Sequence, residues 1–186
     1  MKEILFATGN ARKIAEATKV LGEFDIKVES VKLEMDEIQH HDPAEITKAK
    51  ARAAYEVAHK PVVVSDTSWG IPALGGFPGG YMKDIAAWLD VQDWLALMAR
   101  HSDKTIYCYE HVAYFDGEEL RHFEHTYTGY FIDEPRGQSL PDESFEQVVT
   151  LMQGTTMAEQ AAAGGLASAG EILGHWHQFG EWYSAQ

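Results

Sequence analysis

The run Ile4-Leu5-Phe6-Ala7 constrains this fold most, because a short, unbroken apolar stretch reads as a strand buried on both faces, as parallel sheets require. It stops at Thr8-Gly9-Asn10, and from Ala11 the apolar residues Ile14, Ala17 and Leu21 recur at helical spacing up to Gly22, a suitable C-cap. A second buried run, Pro61-Val62-Val63-Val64, is expected to deliver Ser65-Asp66-Thr67 to its C-terminal end. Between the two, Asp42-Pro43-Ala44-Glu45 predicts a helix start: Asp42 caps, Pro43 suits the first helical position and Glu45 falls three residues after the cap. That helix is expected to reach about His59. Two buried strands joined through a helical crossover predict α/β architecture.

The stretch from Asp25 to Leu33 is a less regular strand candidate and leads into the acidic Glu34-Met35-Asp36-Glu37. Gly70 to Gly80 holds five glycines and two prolines, which predicts a shaped loop rather than a regular element. Helical patterns follow at Lys83 to Leu89 and Val91 to Arg100. Thr105 to Phe115 and Glu119 to Phe131, rich in Tyr, Phe, Val and Thr around Asp116-Gly117, predict a long β-hairpin. From Thr156 the chain is Ala- and Gly-rich, with the pattern of poorly capped helix. No repeat or linker interrupts it, so 1–186 are expected to form a single domain.

The formal charge of −14 opposes sequence-independent binding to nucleic acid or to an anionic membrane surface, so an anionic ligand has to be held by local chemistry. The charge is uneven: residues 1–104 carry 13 basic and 16 acidic residues, and 105–186 carry 2 and 13. No apolar run approaches the roughly 18 to 20 residues of a membrane span. The start goes straight into a strand-like segment, so no signal peptide is expected. The sole cysteine, Cys108, fits a reducing compartment, and a cytoplasmic location is expected.

Two groups of residues could carry chemistry. Thr8-Gly9-Asn10 with Lys13 stands at a helix N-terminus, where backbone N–H groups and a partial positive charge attract phosphate and Gly9 allows close approach. Glu37 and Asp66 are carboxylates of the kind that hold Mg²⁺ together with substrate phosphates. A strand's C-terminal end is also where open α/β sheets place ligands, which favours Asp66. His122 with His125, and His175 with His177, lie at metal-site spacing, but no third ligand is evident and a structural role is expected. The aromatics Trp88, Trp94, Trp176, Trp182 and Tyr183 are expected as core or interface anchors.

The ordered set Phe6-Ala7-Thr8-Gly9-Asn10-Ala11-Arg12-Lys13, Lys50-Ala51, Val64-Ser65-Asp66-Thr67, Ala73 to Lys83 and Thr156-Met157-Ala158-Glu159 resembles the signature of the inosine triphosphate pyrophosphatase family, the non-canonical purine nucleoside triphosphate pyrophosphatases. Order and spacing hold over residues 1 to about 90. The resemblance implies a long curved mixed β-sheet flanked by helices, two lobes with a central cleft, and a homodimer. It also implies Mg²⁺-dependent hydrolysis of the α–β phosphate bond, giving a nucleoside monophosphate and pyrophosphate. Carried over, Thr8, Gly9, Asn10, Lys13 and Lys50 would bind the triphosphate, and Glu37 and Asp66 would bind metal. Asp66 would also activate the attacking water, and Gly75 to Gly80 with Lys83 would shape the phosphate end of the cleft and the dimer contact.

Three departures bear on activity. Ser65 stands where the family has a second acid. The family's aromatic–acid motif, which stacks on the base, is replaced by residues 138–145, where Phe145 and Asp142 are the candidate substitutes. The family's Lys-Asn pair and Ser-His-Arg triplet are replaced by Ala- and Gly-rich residues 161–170. The expected function is pyrophosphate release from nucleoside triphosphates with altered base selectivity. The alternatives are a pyrophosphatase acting on another modified nucleotide, as in the related septum-formation inhibitor family, and a catalytically silent nucleotide-binding protein.

Overall fold

The computed structural model describes residues 2–139, 144–152, 154–164 and 173–186. In chain order the elements are β1 (Lys2–Ala7), α1 (Ala11–Gly22), β2 (Ile26–Val31), α2 (Pro43–Ala58), β3 (Val62–Ile71), β4 (Phe77–Gly79), α3 (Met82–Ala86), α4 (Val91–Met98), β5 (Thr105–Phe115), β6 (Leu120–Phe131), β7 (Val149–Met152), β8 (Thr155–Thr156), α5 (Met157–Ala162) and α6 (Gly174–Ser184). The strands form one mixed sheet in the order β2-β1-β3-β5-β6-β7-β8, with β4 beside β3. Parallel pairing joins β1 to β2, from Lys2↔Ile26 to Ala7↔Val31, and β1 to β3 at Leu5↔Val62 and Phe6↔Val63. The expected α/β architecture on a mixed sheet is the one observed.

The chain divides into two compact units, one of residues 1–67, 110–125 and 171–186, the other of 68–109 and 126–170. In the first unit Ile4, Phe6 and Val63 pack with Ala17, Val20 and Leu21 of α1 and with Trp176 and Phe179 of α6. A second cluster sets Leu5, Ala7, Val62 and Val64 against Ala51 and Ala54 of α2. Strands β1 and β3 are thus buried on both faces, as their unbroken apolar runs predict. The second unit has its own core, in which Trp69, Ile71, Trp94, Met98, Phe131 and Phe145 are buried together.

Local signals account for much of this. Asp42 caps α2, its side chain accepting from the Ala44 N–H at 2.9 Å, with Pro43 at the first helical position. Lys48 Nζ donates to Glu45 at 2.8 Å, a pairing between the first and second turns of the helix. His59 ends α2 with φ 52°, its N–H bonding the Tyr55 carbonyl at 2.7 Å. Gly22 is the last residue of α1 rather than its cap, which falls on Glu23.

Three expectations are corrected. β3 does not end at Thr67: Trp69, Gly70 and Ile71 continue it by pairing antiparallel with Gly79, Pro78 and Phe77, so Asp66 lies within a ten-residue strand. The glycine-rich stretch therefore contains a regular element, β4, reached through a short 3₁₀ turn at Pro72–Leu74 that Gly75 closes at φ 67°. The sequence conceals this because four consecutive polar residues, Ser65 to Ser68, look like a strand end, whereas here the strand changes its partner. Finally, α5 is well capped: the Thr156 side chain accepts from Glu159 N–H at 3.2 Å while the Glu159 carboxylate accepts from Thr156 N–H at 2.8 Å.

Candidate active site

Where β1 ends, the Thr8 N–H bonds the Val31 carbonyl at 2.8 Å and fixes the turn to β2. Thr8 Oγ1 then accepts from the Asn10 N–H at 3.1 Å, and Asn10 Oδ1 accepts from the N–H groups of Arg12 at 2.9 Å and Lys13 at 3.3 Å. The helix end is therefore capped by its own side chains, where the sequence reading expects open amides. An anion arriving here meets the Asn10 side-chain amide and the Lys13 ammonium before it meets the helix backbone. Gly9 also lies against a different neighbour: a Cβ there would stand 3.2 Å from Lys32 Cδ, on a side chain that has to shift slightly to admit it. Lys32 is a cation beside the turn that the sequence reading overlooks, because after β2 it looks like an ordinary surface residue.

Lys13 reaches from the first turn of α1 to β3, with Nζ 3.4 Å from the Ser65 carbonyl and 4.0 Å from Asp66 Oδ1. The side chains of Lys13 and Asp66 are 15% and 32% exposed, so the pair is shielded yet reachable by a ligand. Asp66 Oδ1 also accepts from the Thr67 N–H at 3.0 Å, and Thr67 Oγ1 donates to Glu110 Oε2 at 2.9 Å. Glu110 is buried, and burial pushes its carboxyl above the ordinary range while the Lys13 and Arg12 charges oppose the rise. Ser65, in place of the family's second acid, is buried, and among the described residues its Oγ has no hydrogen-bond partner.

On α2, Lys50 pairs with Glu37 at 2.7 Å. Lys50 is largely buried and Glu37 about half exposed, so a cation on the helix pins the acidic segment that follows β2. The structure thus brings together Thr8, Asn10, Lys13 and Asp66, and separately Lys50 and Glu37. Lys83 lies exposed on α3 of the second unit.

Other candidates behave differently from their sequence reading. Phe145 is fully buried, with ring centroids 4.9 Å from Trp69, 5.3 Å from Trp94 and 6.1 Å from Phe131, so it is a core residue and does not stack on a base. Asp142 and most of the replaced basic segment, 165–170, lie outside the described residues. Trp94 and Trp176 are core as expected, and Trp88 is 76% exposed. His175 and His177 do not form a pair: on α6 the first is buried and the second exposed. His175 Nδ1 has no partner among the described residues, and burial, reinforced by Lys13, His125, His111 and Arg12, pushes the ring down to about 3. For Glu110 the sequence does hold a signal, a Glu-His pair inside an otherwise apolar and aromatic strand pattern.

The fold and this arrangement define an α/β protein whose first strand–helix turn sets a capped helix end and a lysine against a carboxylate. Residues 4–163 match the model of the Ham1 family, and the chain belongs to that family. It is 35% identical over 138 residues to the inosine triphosphate pyrophosphatase of Yarrowia lipolytica, covering 73% of this chain and 72% of that protein. It is 33% identical over 137 residues to the dITP/XTP pyrophosphatase of Methanopyrus kandleri, covering 73% of each. A HAM1 protein from Coxiella burnetii superposes over the full length of both chains with TM-score 0.79 at 20% identity. The Staphylococcus aureus Ham1 protein does so over 99% of this chain and 97% of its own, with TM-score 0.73 and 20% identity.

Proposed function

We propose that this chain is a nucleoside triphosphate pyrophosphatase that hydrolyses the α–β phosphate bond of non-canonical purine nucleoside triphosphates to a nucleoside monophosphate and pyrophosphate. The observation that carries the reading is Lys13, held by the Ser65 carbonyl beside Asp66 at the capped start of α1. Relatives named for inosine triphosphate and for dITP/XTP support the substrate class.

Asp66 and Glu37 supply only carboxylate oxygens, a donor set suited to a hard cation such as Mg²⁺, which takes one or two carboxylates and completes its shell with water and phosphate. Both already face a lysine, so triphosphate oxygens can replace the carboxylates at Lys13 and Lys50 as the carboxylates turn to a cation. Bound there, Mg²⁺ would offset phosphate charge and make the phosphorus more electrophilic. Lys13, Lys50, Thr8 and Asn10 bind and orient the triphosphate. Asp66 accepts a proton from the water that attacks the α-phosphorus as the new P–O bond forms, and the P–O bond bridging the α- and β-phosphates breaks with its electron pair leaving on the departing pyrophosphate. The exposed Trp88, a few residues beyond Lys83, is a side chain that the contact in a homodimer would cover. Cys108, buried in β5, fits a cytoplasmic setting, and among the described residues no helix is long and apolar enough to cross a membrane.

The test is pyrophosphate release across standard, deaminated and oxidised triphosphates with Mg²⁺ or Mn²⁺. Release from one or more of them is expected, falling at least ~100-fold in Asp66→Asn, the loss of a general base. No release from any triphosphate refutes the reading. Ser65, in place of the second acid, favours one alternative, a nucleotide-binding protein without turnover, which calorimetric binding in the absence of release would select.

A further inference from the structure

The hairpin of β5 and β6 gathers three metal-ligand side chains that are not among the candidate phosphate-site residues named above. His122 and Glu124 stand two apart on β6 and so share a face. Across from them on β5 is His111, whose Nδ1 lies 3.2 Å from His122 Nε2 and 3.4 Å from Glu124 Oε2. One donor atom from each of the three residues lies within 4.8 Å of the other two. We propose that His111, His122 and Glu124 form a binding site for a divalent transition-metal ion of the Zn²⁺ class, with a fourth position open to water or a ligand oxygen.

The spacing of these donors suits a bound ion. A tetrahedral ion with bonds of about 2.0 to 2.2 Å to nitrogen and oxygen sets adjacent donors roughly 3.3 to 3.6 Å apart, close to both contacts of His111. A charged imidazolium–carboxylate bond would instead close to about 2.7 to 2.9 Å. Both contacts also converge on one nitrogen. Nδ1 has either one hydrogen or one lone pair, so it cannot donate to the carboxylate and accept from the second imidazole at once. A cation placed among the three atoms satisfies all of them together.

The chemistry of the donors names the class of ion. Two imidazoles and a carboxylate suit Zn²⁺ and its first-row neighbours, whereas Mg²⁺ prefers the all-oxygen set that Glu37 and Asp66 provide. A ligating imidazole offers the lone pair of its neutral ring, so binding is expected to weaken as the pH falls. His111 is buried and positions the site, while His122 is partly exposed and Glu124 exposed, which gives an ion a path from solvent. Along the chain His122 stands at metal-site spacing from His125, three residues on. The pleat instead makes Glu124 its same-face neighbour, and the third ligand comes from the adjacent strand.

The proposal does not depend on the pyrophosphatase reading, and its test reads metal content rather than turnover. The full chain, stripped with a chelator, is dialysed against Zn²⁺ in excess Mg²⁺, which occupies oxygen-only sites, and titrated calorimetrically. About one equivalent of Zn²⁺ is expected to bind, with affinity falling at least ~10-fold in His122→Ala and in Glu124→Gln and unchanged in Asp66→Asn. Both substituted ligands lie toward the surface, and circular dichroism checks that the variants keep the fold. With Co²⁺ as the probe, the intense visible bands of four-coordinate cobalt are expected in the native chain and absent from His122→Ala. Failure of the native chain to bind Zn²⁺, unchanged affinity in both ligand variants, or loss confined to Asp66→Asn overturns the proposal.

Discussion

Replacing Phe145 by alanine separates a residue that holds the second unit together from one that contacts a base. The ring has no exposed surface and meets Trp69, Trp94 and Phe131 at interplanar angles of 81°, 78° and 73°. Edge-to-face packing of this kind sets the positive ring edge against a negative face and adds to the hydrophobic gain. Deleting a fully buried phenylalanine typically costs about 3 to 5 kcal/mol, and three aromatic partners left around a cavity put this site near ~4 kcal/mol. For a chain of this length that corresponds to a fall in melting temperature of roughly 8 to 16 °C. Urea denaturation followed by tryptophan fluorescence reads the effect directly, since Trp69 and Trp94 report from the walls of the cavity. Phe145→Leu, which refills most of the volume, is expected to recover more than half of the loss and to leave KM for triphosphates unchanged. A loss of stability below about 1 kcal/mol in Phe145→Ala, accompanied by a rise in KM, refutes the core assignment.

Two further substitutions probe the first unit. Asn10→Ala removes the acceptor for the Arg12 and Lys13 N–H groups and is expected to cost about 1 kcal/mol in urea denaturation. Asn10→Asp retains the cap, so stability is expected to hold while KM for a triphosphate rises on the order of 10-fold as a negative charge enters the proposed phosphate site. His175→Gln tests the buried imidazole through pH. Its folded pKa of about 3 lies below the unfolded value of about 6.5, so between the two the unfolded chain binds the extra proton and stability falls as pH falls. From pH 6 to 4 the native chain is expected to lose about 1.4 kcal/mol per pH unit more than His175→Gln. The raised carboxyl of Glu110 acts in the opposite direction but is common to both proteins, so it cancels in the difference. Identical pH profiles would exclude a neutral, buried His175.

Elements specified by neighbouring residues were legible along the chain. β1 and α1 follow from an apolar run, a turn and a helical stripe, and α2 from Asp42 and Pro43 at its start. The hairpin follows from two β-rich runs around Asp116-Gly117, with Asp116 Oδ1 accepting from the N–H groups of Glu118 at 2.9 Å and Glu119 at 2.7 Å. The candidate site was legible in part: Lys13 and Asp66 meet, as do Lys50 and Glu37. The caps that Thr8 and Asn10 place over the amides were not anticipated, because a side chain able to bind an anion is equally able to satisfy its own backbone.

By itself the sequence determined the α/β pattern, the family signature and the candidate phosphate-site residues, because each is set by residues close together in the chain. Tertiary structure decided the rest. Pairing with β4 carries β3 past Asp66, although its polar residues resemble a strand end. Packing against Trp69, Trp94 and Phe131 makes Phe145 a core residue, although the sequence offers it as a candidate to stack on a base. Adjacency of β5 and β6 brings His111 to His122 and Glu124. In each case the deciding partner is distant in sequence, and only the folded sheet sets the distance, burial and direction that turn a side chain into packing, a ligand or a base.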